Sequence, residues 1–334
     1  MHIPDGYLSP VTCAVMYAAS TPFWAMAARR TRELMASRMV PLLSVFSAFA
    51  FVIMMFNIPL PGGTSGHAVG GTLIAVVLGP WAAIVGVSVA LLIQAVFFGD
   101  GGILTFGANA FNMAIVLPMV GYGVYRLIAG GSPASSWRRV AGAGIGGYLG
   151  LNAGAFFTAV EFGLQPLLFH TADGTPLYSP FGLSTAIPAM MVPHLLVAGV
   201  AEAVVTVLVV RYLQASHPAL LEKVTPEQPA TALNLRWLWG MVAALVILSP
   251  LGLLAPGTAW GEWGTDQLEG VGLTFIPQGL EQLEGFWSAP LAEYSLGTWE
   301  PILAYALSGA IGVLVIAFIT WLLTRQRVVA PRTR

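Results

Sequence analysis

Polar residues in this chain are confined to short intervals between long apolar runs, and the runs have the length of membrane spans. A spanning helix takes about 20 mostly apolar residues. That rule predicts helices near 11–28, 39–60, 107–128, 139–160, 186–212, 237–256 and 302–323. The stretch 68–98 is divided by Gly79-Pro80. It reads either as one tilted helix or as a short element, 68–79, followed by a full one, 80–98.

The basic residues decide between these. They are Arg29, Arg30, Arg32 and Arg38; Arg126, Arg138 and Arg139; Arg211, Lys223 and Arg236; Arg325, Arg327, Arg332 and Arg334. Lys and Arg collect in short cytoplasmic loops. With the N-terminus outside and two elements in 68–98, all 14 face the cytoplasm. A single crossing there misplaces the Arg126–Arg139 cluster. The expectation is an all-α integral membrane protein of about nine membrane elements, N-terminus outside and C-terminus cytoplasmic. At 1.5 Å per residue, 68–79 is about 18 Å long, too short to span. It reads as a half-helix or re-entrant piece entered through Pro59 to His67. Irregular backbone at membrane depth survives only where protein or a polar cavity satisfies it, and broken helices often mark a transporter's substrate site.

Composition narrows the class further. Hydrophobic residues make up 57% of the chain and charged ones 9%, with a mean hydropathy of +0.78. Soluble domains carry about 25% charged residues, so a soluble protein is excluded. A disordered one is excluded too, since disorder needs low hydrophobicity. The net charge of −1 offers no basic surface for nucleic acid. A single cysteine, Cys13, leaves no internal disulfide and no multi-cysteine metal site. No basic region precedes the first apolar run, so no cleavable signal peptide is expected and Met1 stays first. The organisation reads as a seven-element unit, 1–215, a cytoplasmic linker, 216–236, and a two-helix unit, 237–334. Between the last two helices, the outer loop 257–300 holds seven acidic residues and no Lys or Arg.

Few side chains can carry chemistry. A free amine at Met1, the deprotonated amide of His2 and its Nδ1 can close two fused chelate rings. A fourth nitrogen would complete a square-planar site, the geometry that suits Ni(II) or Cu(II). His67 lies in Gly-Gly-Thr-Ser-Gly-His at the mouth of the broken helix, and an ionisable residue at membrane depth is a functional candidate. His170 and His217 read as exposed. His194 and Glu202 lie eight residues apart on one helix face, which suits a relay, a secondary metal stop or hydrogen bonds between helices. Asn109 and Asn112 follow a loop that contains Asp100. These three are candidates to support metal ligands from behind; the two amides can equally join helices. Lys223 is the only lysine, so no phosphate-binding loop of the G-x-x-x-x-G-K-[ST] type exists. No H-E-x-x-H or G-x-S-x-G motif is present, and the chain is not expected to be an enzyme.

The opening string MHIPDGYLSP resembles the start of the CbiM/NikM family, as do GGTSGHAVGG (62–71), LGPWAA (78–83) and LIQAVFFGDGGILTFGANAFNMA (92–114). That family comprises the substrate-capture, or S-type, membrane subunits of cobalt and nickel energy-coupling factor transporters. The likeness covers about 1–215. It implies that the N-terminal segment folds back into the membrane body. It also implies that the Met1 amine, the His2 amide and imidazole, and the His67 imidazole bind Ni²⁺ or Co²⁺ as transported substrate, with no organic cofactor. The implied partners are a membrane T-type coupling subunit and cytoplasmic ABC ATPase subunits, in the cytoplasmic membrane of a prokaryote. The last third resembles the two-helix N-type subunit of such systems, with Pro277-Gln278-Gly279-Leu280-Glu281 where that family has PDGLE. Two rival readings remain at this point. One is a stand-alone, ion-gradient-driven metal permease relying on Glu202. The other is a membrane metalloenzyme built on His67, His194 and Glu202.

Overall fold

The computed structural model describes residues 1–31, 40–221, 235–255 and 257–325. Arg32, Arg38, Lys223, Arg327, Arg332 and Arg334 lie outside the described residues, as does most of the expected linker.

Among the described residues the chain is mostly helical. Its long elements are α1 (Pro10–Arg30), α2 (Val40–Met54), α3 (Gly71–Leu78), α4 (Pro80–Phe98), α5 (Phe106–Ala129), α6 (Trp137–Leu168), α7 (Leu183–Ser216) and α8 (Arg236–Leu254). A short α9 (Gln278–Leu283) and the last helix, α10 (Pro301–Arg325), complete the order. Seven of these are long and apolar enough to cross a membrane. The chain is a multi-pass membrane protein.

Local chemistry explains the boundaries. Ser9 caps α1 by accepting from the Thr12 amide, and Pro10 occupies the first turn. Helix α2 stops at Met54, six residues short of the predicted 60. Pro59 lacks an amide hydrogen, and the chain instead forms a hairpin of β1 (Ile58–Leu60) and β2 (Thr64–Gly66), with Pro59 opposite Ser65. At Gly79, φ is +88°, a conformation that only glycine adopts freely, and Pro80 then opens α4. The expected break in 68–98 is therefore present, with the short helix trimmed to 71–78. Of three π-helical turns, Gln94–Phe98 ends α4, while Ala110–Val116 and His194–Ala198 interrupt α5 and α7. Such turns concentrate at functional sites.

Small residues bring the helices close. A Cβ on Gly121 would lie 2.1 Å from Thr72 Oγ1, and one on Gly146 would lie 2.5 Å from the Gly121 carbonyl, so Thr72 of α3 packs directly on the α5 backbone and α5 meets α6 backbone to backbone. The C-terminal helix rests on α2, with Gly312 against Phe51 and Thr320 Oγ1 donating to Ser44 Oγ at 2.8 Å. One end of the bundle gathers residues 1–9, 99–105, 176–182 and much of 257–300. At the other end, Arg139 ties α6 to the Ser132 and Leu221 carbonyls.

Candidate metal centre

Residues 1–9 are not a tail. Ile3, Tyr7 and Leu8 are fully buried, and full burial of such side chains is worth about 1.5–3 kcal/mol each. The segment is also held by its backbone. Asn109 accepts from the Ile3 amide at 2.8 Å and donates to the Ile3 carbonyl at 3.0 Å. The Gly102 amide donates to that same carbonyl at 2.9 Å. In return, the Asp5 carboxylate accepts the amides of Ile103, Leu104 and Thr105. Burial raises the Asp5 carboxyl above its ordinary range, and these amides pull it back. Backbone passes so close here that a Cβ on Gly102 would lie 1.9 Å from Asp5 Oδ1.

This clasp delivers His2 to His67. His67 Nε2 lies 3.3 Å from His2 Nδ1, and the rings are 5.0 Å apart between centroids. Behind His67, its Nδ1 bonds the Ala68 carbonyl at 3.1 Å. That bond fixes Nδ1 as the protonated nitrogen and leaves the Nε2 lone pair facing His2. Burial, aided by His2 and the terminal amine, pushes His67 well below the usual imidazole range, so it is neutral. His2 Nδ1 then donates to His67 and lies 3.1 Å from Asp100 Oδ1. The other ring nitrogen, His2 Nε2, is buried without a partner. The Met1 amine lies 3.2 Å from Glu262 Oε1.

The His2–His67 spacing suits two neighbouring ligands of one cation. Two nitrogens bound at about 2.0–2.1 Å and at right angles lie about 2.9 Å apart, close to the observed His2–His67 separation. Among the described residues no group of three or more His, Cys, Asp or Glu is arranged to hold a metal. A nitrogen set built on Met1, His2 and His67 would draw only its imidazoles from side chains and its other members from the main chain.

The remaining candidates divide. Asp100 and Asn109 join the cluster. Asn112 does not: one turn further along α5, its Nδ2 bonds Thr158 and Glu161 at 3.0 and 2.8 Å, tying α5 to α6. Glu202 is buried, and its carboxylate accepts the Val69 and Gly70 amides at 2.7 and 2.9 Å. It anchors the backbone that follows His67. His194 Nδ1 turns to its own helix, at the Met190 carbonyl. His67, His194 and Glu202 therefore do not converge on one ion. His170 is exposed, His217 half-buried and Cys13 buried.

The acidic outer loop puts Glu262 at Met1 and Tyr294 at Asp100, the latter at 2.6 Å, and its sequence points to neither. The Pro-Gln-Gly-Leu-Glu string also docks on this end. The Gly279 amide donates to Leu177 at 2.7 Å, and Leu280 packs on Gly6. Gln278, in the place of the related aspartate, is exposed and turned from the contact.

Comparison with known proteins agrees with this architecture. Residues 2–220 match the CbiM family, described as the cobalt uptake substrate-specific transmembrane region, and residues 234–326 match the PDGLE domain. The fused nickel transport protein NikMN of Rhodobacter capsulatus is 50% identical over 332 residues, 95% of each chain. A crystal structure of a truncated transition metal transporter superposes with a TM-score of 0.61 at 58% identity, covering 65% of this chain and all of that one. The chain belongs to the CbiM family, carrying its substrate-specific transmembrane region joined to a PDGLE domain.

Proposed function

We propose that this chain captures Ni²⁺ or Co²⁺ outside the cytoplasmic membrane of a prokaryote and moves it inward as the substrate-specific part of an ATP-driven energy-coupling factor transporter. The observation that carries this reading is His67 Nε2 lying 3.3 Å from His2 Nδ1, with a terminal amine on the same short segment. The Met1 amine, the His2 amide nitrogen, His2 Nδ1 and His67 Nε2 are the four donors. Metal replaces protons on the first two, and the His2 ring proton moves from Nδ1 to the unpartnered Nε2. The name of the fused relative favours nickel.

In this reading all nine membrane elements lie in the bilayer, with the site at the outer end and the Arg139 end facing the cytoplasm. Units 1–215 and 237–334 act together. A T-type membrane subunit and ABC ATPase subunits supply the energy, since the chain has no phosphate-binding loop. The test is ⁶³Ni²⁺ and ⁵⁷Co²⁺ uptake into proteoliposomes, with and without T-type and ATPase subunits. Uptake that needs the partners and internal ATP is the expected outcome. Uptake by the chain alone, driven by an ion gradient, refutes the coupling.

A further inference from the structure

The Tyr-Ser-Leu-Gly string at 294–297 lies in the outer loop of the C-terminal unit, and its tyrosine reaches the metal centre. The Tyr294 hydroxyl donates to Asp100 Oδ2 at 2.6 Å and accepts from Gln94 Nε2 at 3.2 Å. Gln94 Nε2 also donates to Asp100 Oδ2 at 3.2 Å. One oxygen of Asp100 is thus held by two donors, and Oδ1 is left for His2 Nδ1. The π-helical turn that ends α4 places Gln94 for this role.

The loop backbone is strained where it presents this hydroxyl. Glu293 and Tyr294, at φ +54° and +58°, are the non-glycine residues with positive φ among those described. The left-handed region is costly for L-residues, and such strain persists where surrounding contacts over-determine it. Here the Tyr294 ring stacks on Phe98 at 4.6 Å and 16°, and its carbonyl accepts from Ser308 Oγ at 2.9 Å.

We propose that Tyr294 is a positioning residue for the metal centre: through Asp100 it holds the His2 ring with Nδ1 turned to His67. The C-terminal unit thereby preorganises a site whose donors all come from the other unit. This inference rests on the metal reading above, and it gives a role to a residue 194 positions away from the carboxylate it holds.

The test is a double-mutant cycle in the full chain beginning at Met1, read as Ni²⁺ affinity by calorimetric titration. Tyr294→Phe keeps the ring on Phe98 and removes only the hydroxyl. The His2 ring is then less well oriented in the metal-free site, and the affinity is expected to fall about 10-fold as that preorganisation is lost. Asp100→Asn is expected to lose at least as much. Because the two act in series, the double variant should bind no more than about twofold weaker than Asp100→Asn. Thr265→Val removes a hydrogen bond of the same loop, to Glu284, that touches neither Tyr294 nor Asp100, and should bind like the unaltered chain. Unaltered affinity in Tyr294→Phe, additive losses, or an equal loss in Thr265→Val each overturns the inference. If the unaltered chain binds no Ni²⁺, the metal reading fails and the inference with it. Binding that is intact and indifferent to Tyr294→Phe defeats this inference alone.

Discussion

His67 Nε2 and His2 Nδ1 face each other at 3.3 Å across 65 residues of sequence, and the surrounding hydrogen bonds assign the proton between them to His2. One imidazole is ready to bind a cation, and the other must first move its proton from Nδ1 to Nε2. The energetics of the site follow from that asymmetry.

His67→Ala removes a donor and not merely a support. Ni²⁺ affinity should fall by more than the about 10–100-fold typical of losing an outer partner. Calorimetric titration checks this. A smaller loss places His67 outside the donor set.

Acidification should weaken binding, because a cation displaces protons from the amine and the His2 amide. His67 is held neutral by burial well below the usual imidazole range, so it contributes none of those protons near neutral pH. Proton release, measured by repeating the titration in buffers of different ionisation enthalpy, should therefore exceed one per metal. It should be nearly the same in His67→Ala, whatever that variant loses in affinity. A count that drops by a full proton in His67→Ala contradicts the assignment.

Gly102→Ala should detach residues 1–9 while leaving the helices intact. The added Cβ would lie 1.9 Å from Asp5 Oδ1 and 2.5 Å from its amide, and the neighbouring atoms are backbone or clasped to backbone. Circular dichroism should be unchanged and metal binding lost. Retained high-affinity binding shows that the clasp does not deliver His2.

Glu202 separates the coupled transporter from a gradient-driven permease. Its carboxylate holds the Val69 and Gly70 amides, and a glutamine oxygen can still accept from them. Glu202→Gln should therefore retain most ATP-driven uptake, whereas Glu202→Ala strands two buried amides at about 1–3 kcal/mol each and should lower thermal stability. Abolished uptake in a stable Glu202→Gln protein favours a proton-carrying role.

Much of this was legible from residue order. Gly79-Pro80 and the placement of the arginines pointed to the short α3, and its mouth pointed to His67. The overrun of α2 beyond Met54 came from apolar content alone: Ile58, Pro59 and Leu60 are as apolar as a helix, but they pair with Thr64–Gly66 as strand. Asn109 and Asn112 looked equivalent at i, i+3. Asn109 meets Ile3, whereas Asn112 falls between α5 and α6. Glu262 and Tyr294 were not legible at all. The loop 257–300 has no helical or strand period, and its contacts with Met1 and Asp100 exist only once two distant parts of the chain have packed.

The most direct measurement compares Ni²⁺ titrations of two forms of the full chain, one beginning at Met1 and one with a single residue added before it, followed by the d–d absorption band. The added residue turns the terminal amine into an amide and leaves every side chain in place. The chain beginning at Met1 should bind one Ni²⁺ with a square-planar band, and the extended form should lose both the affinity and the band. Equal affinity and an unchanged band in the extended form would contradict a metal centre built on the amino terminus.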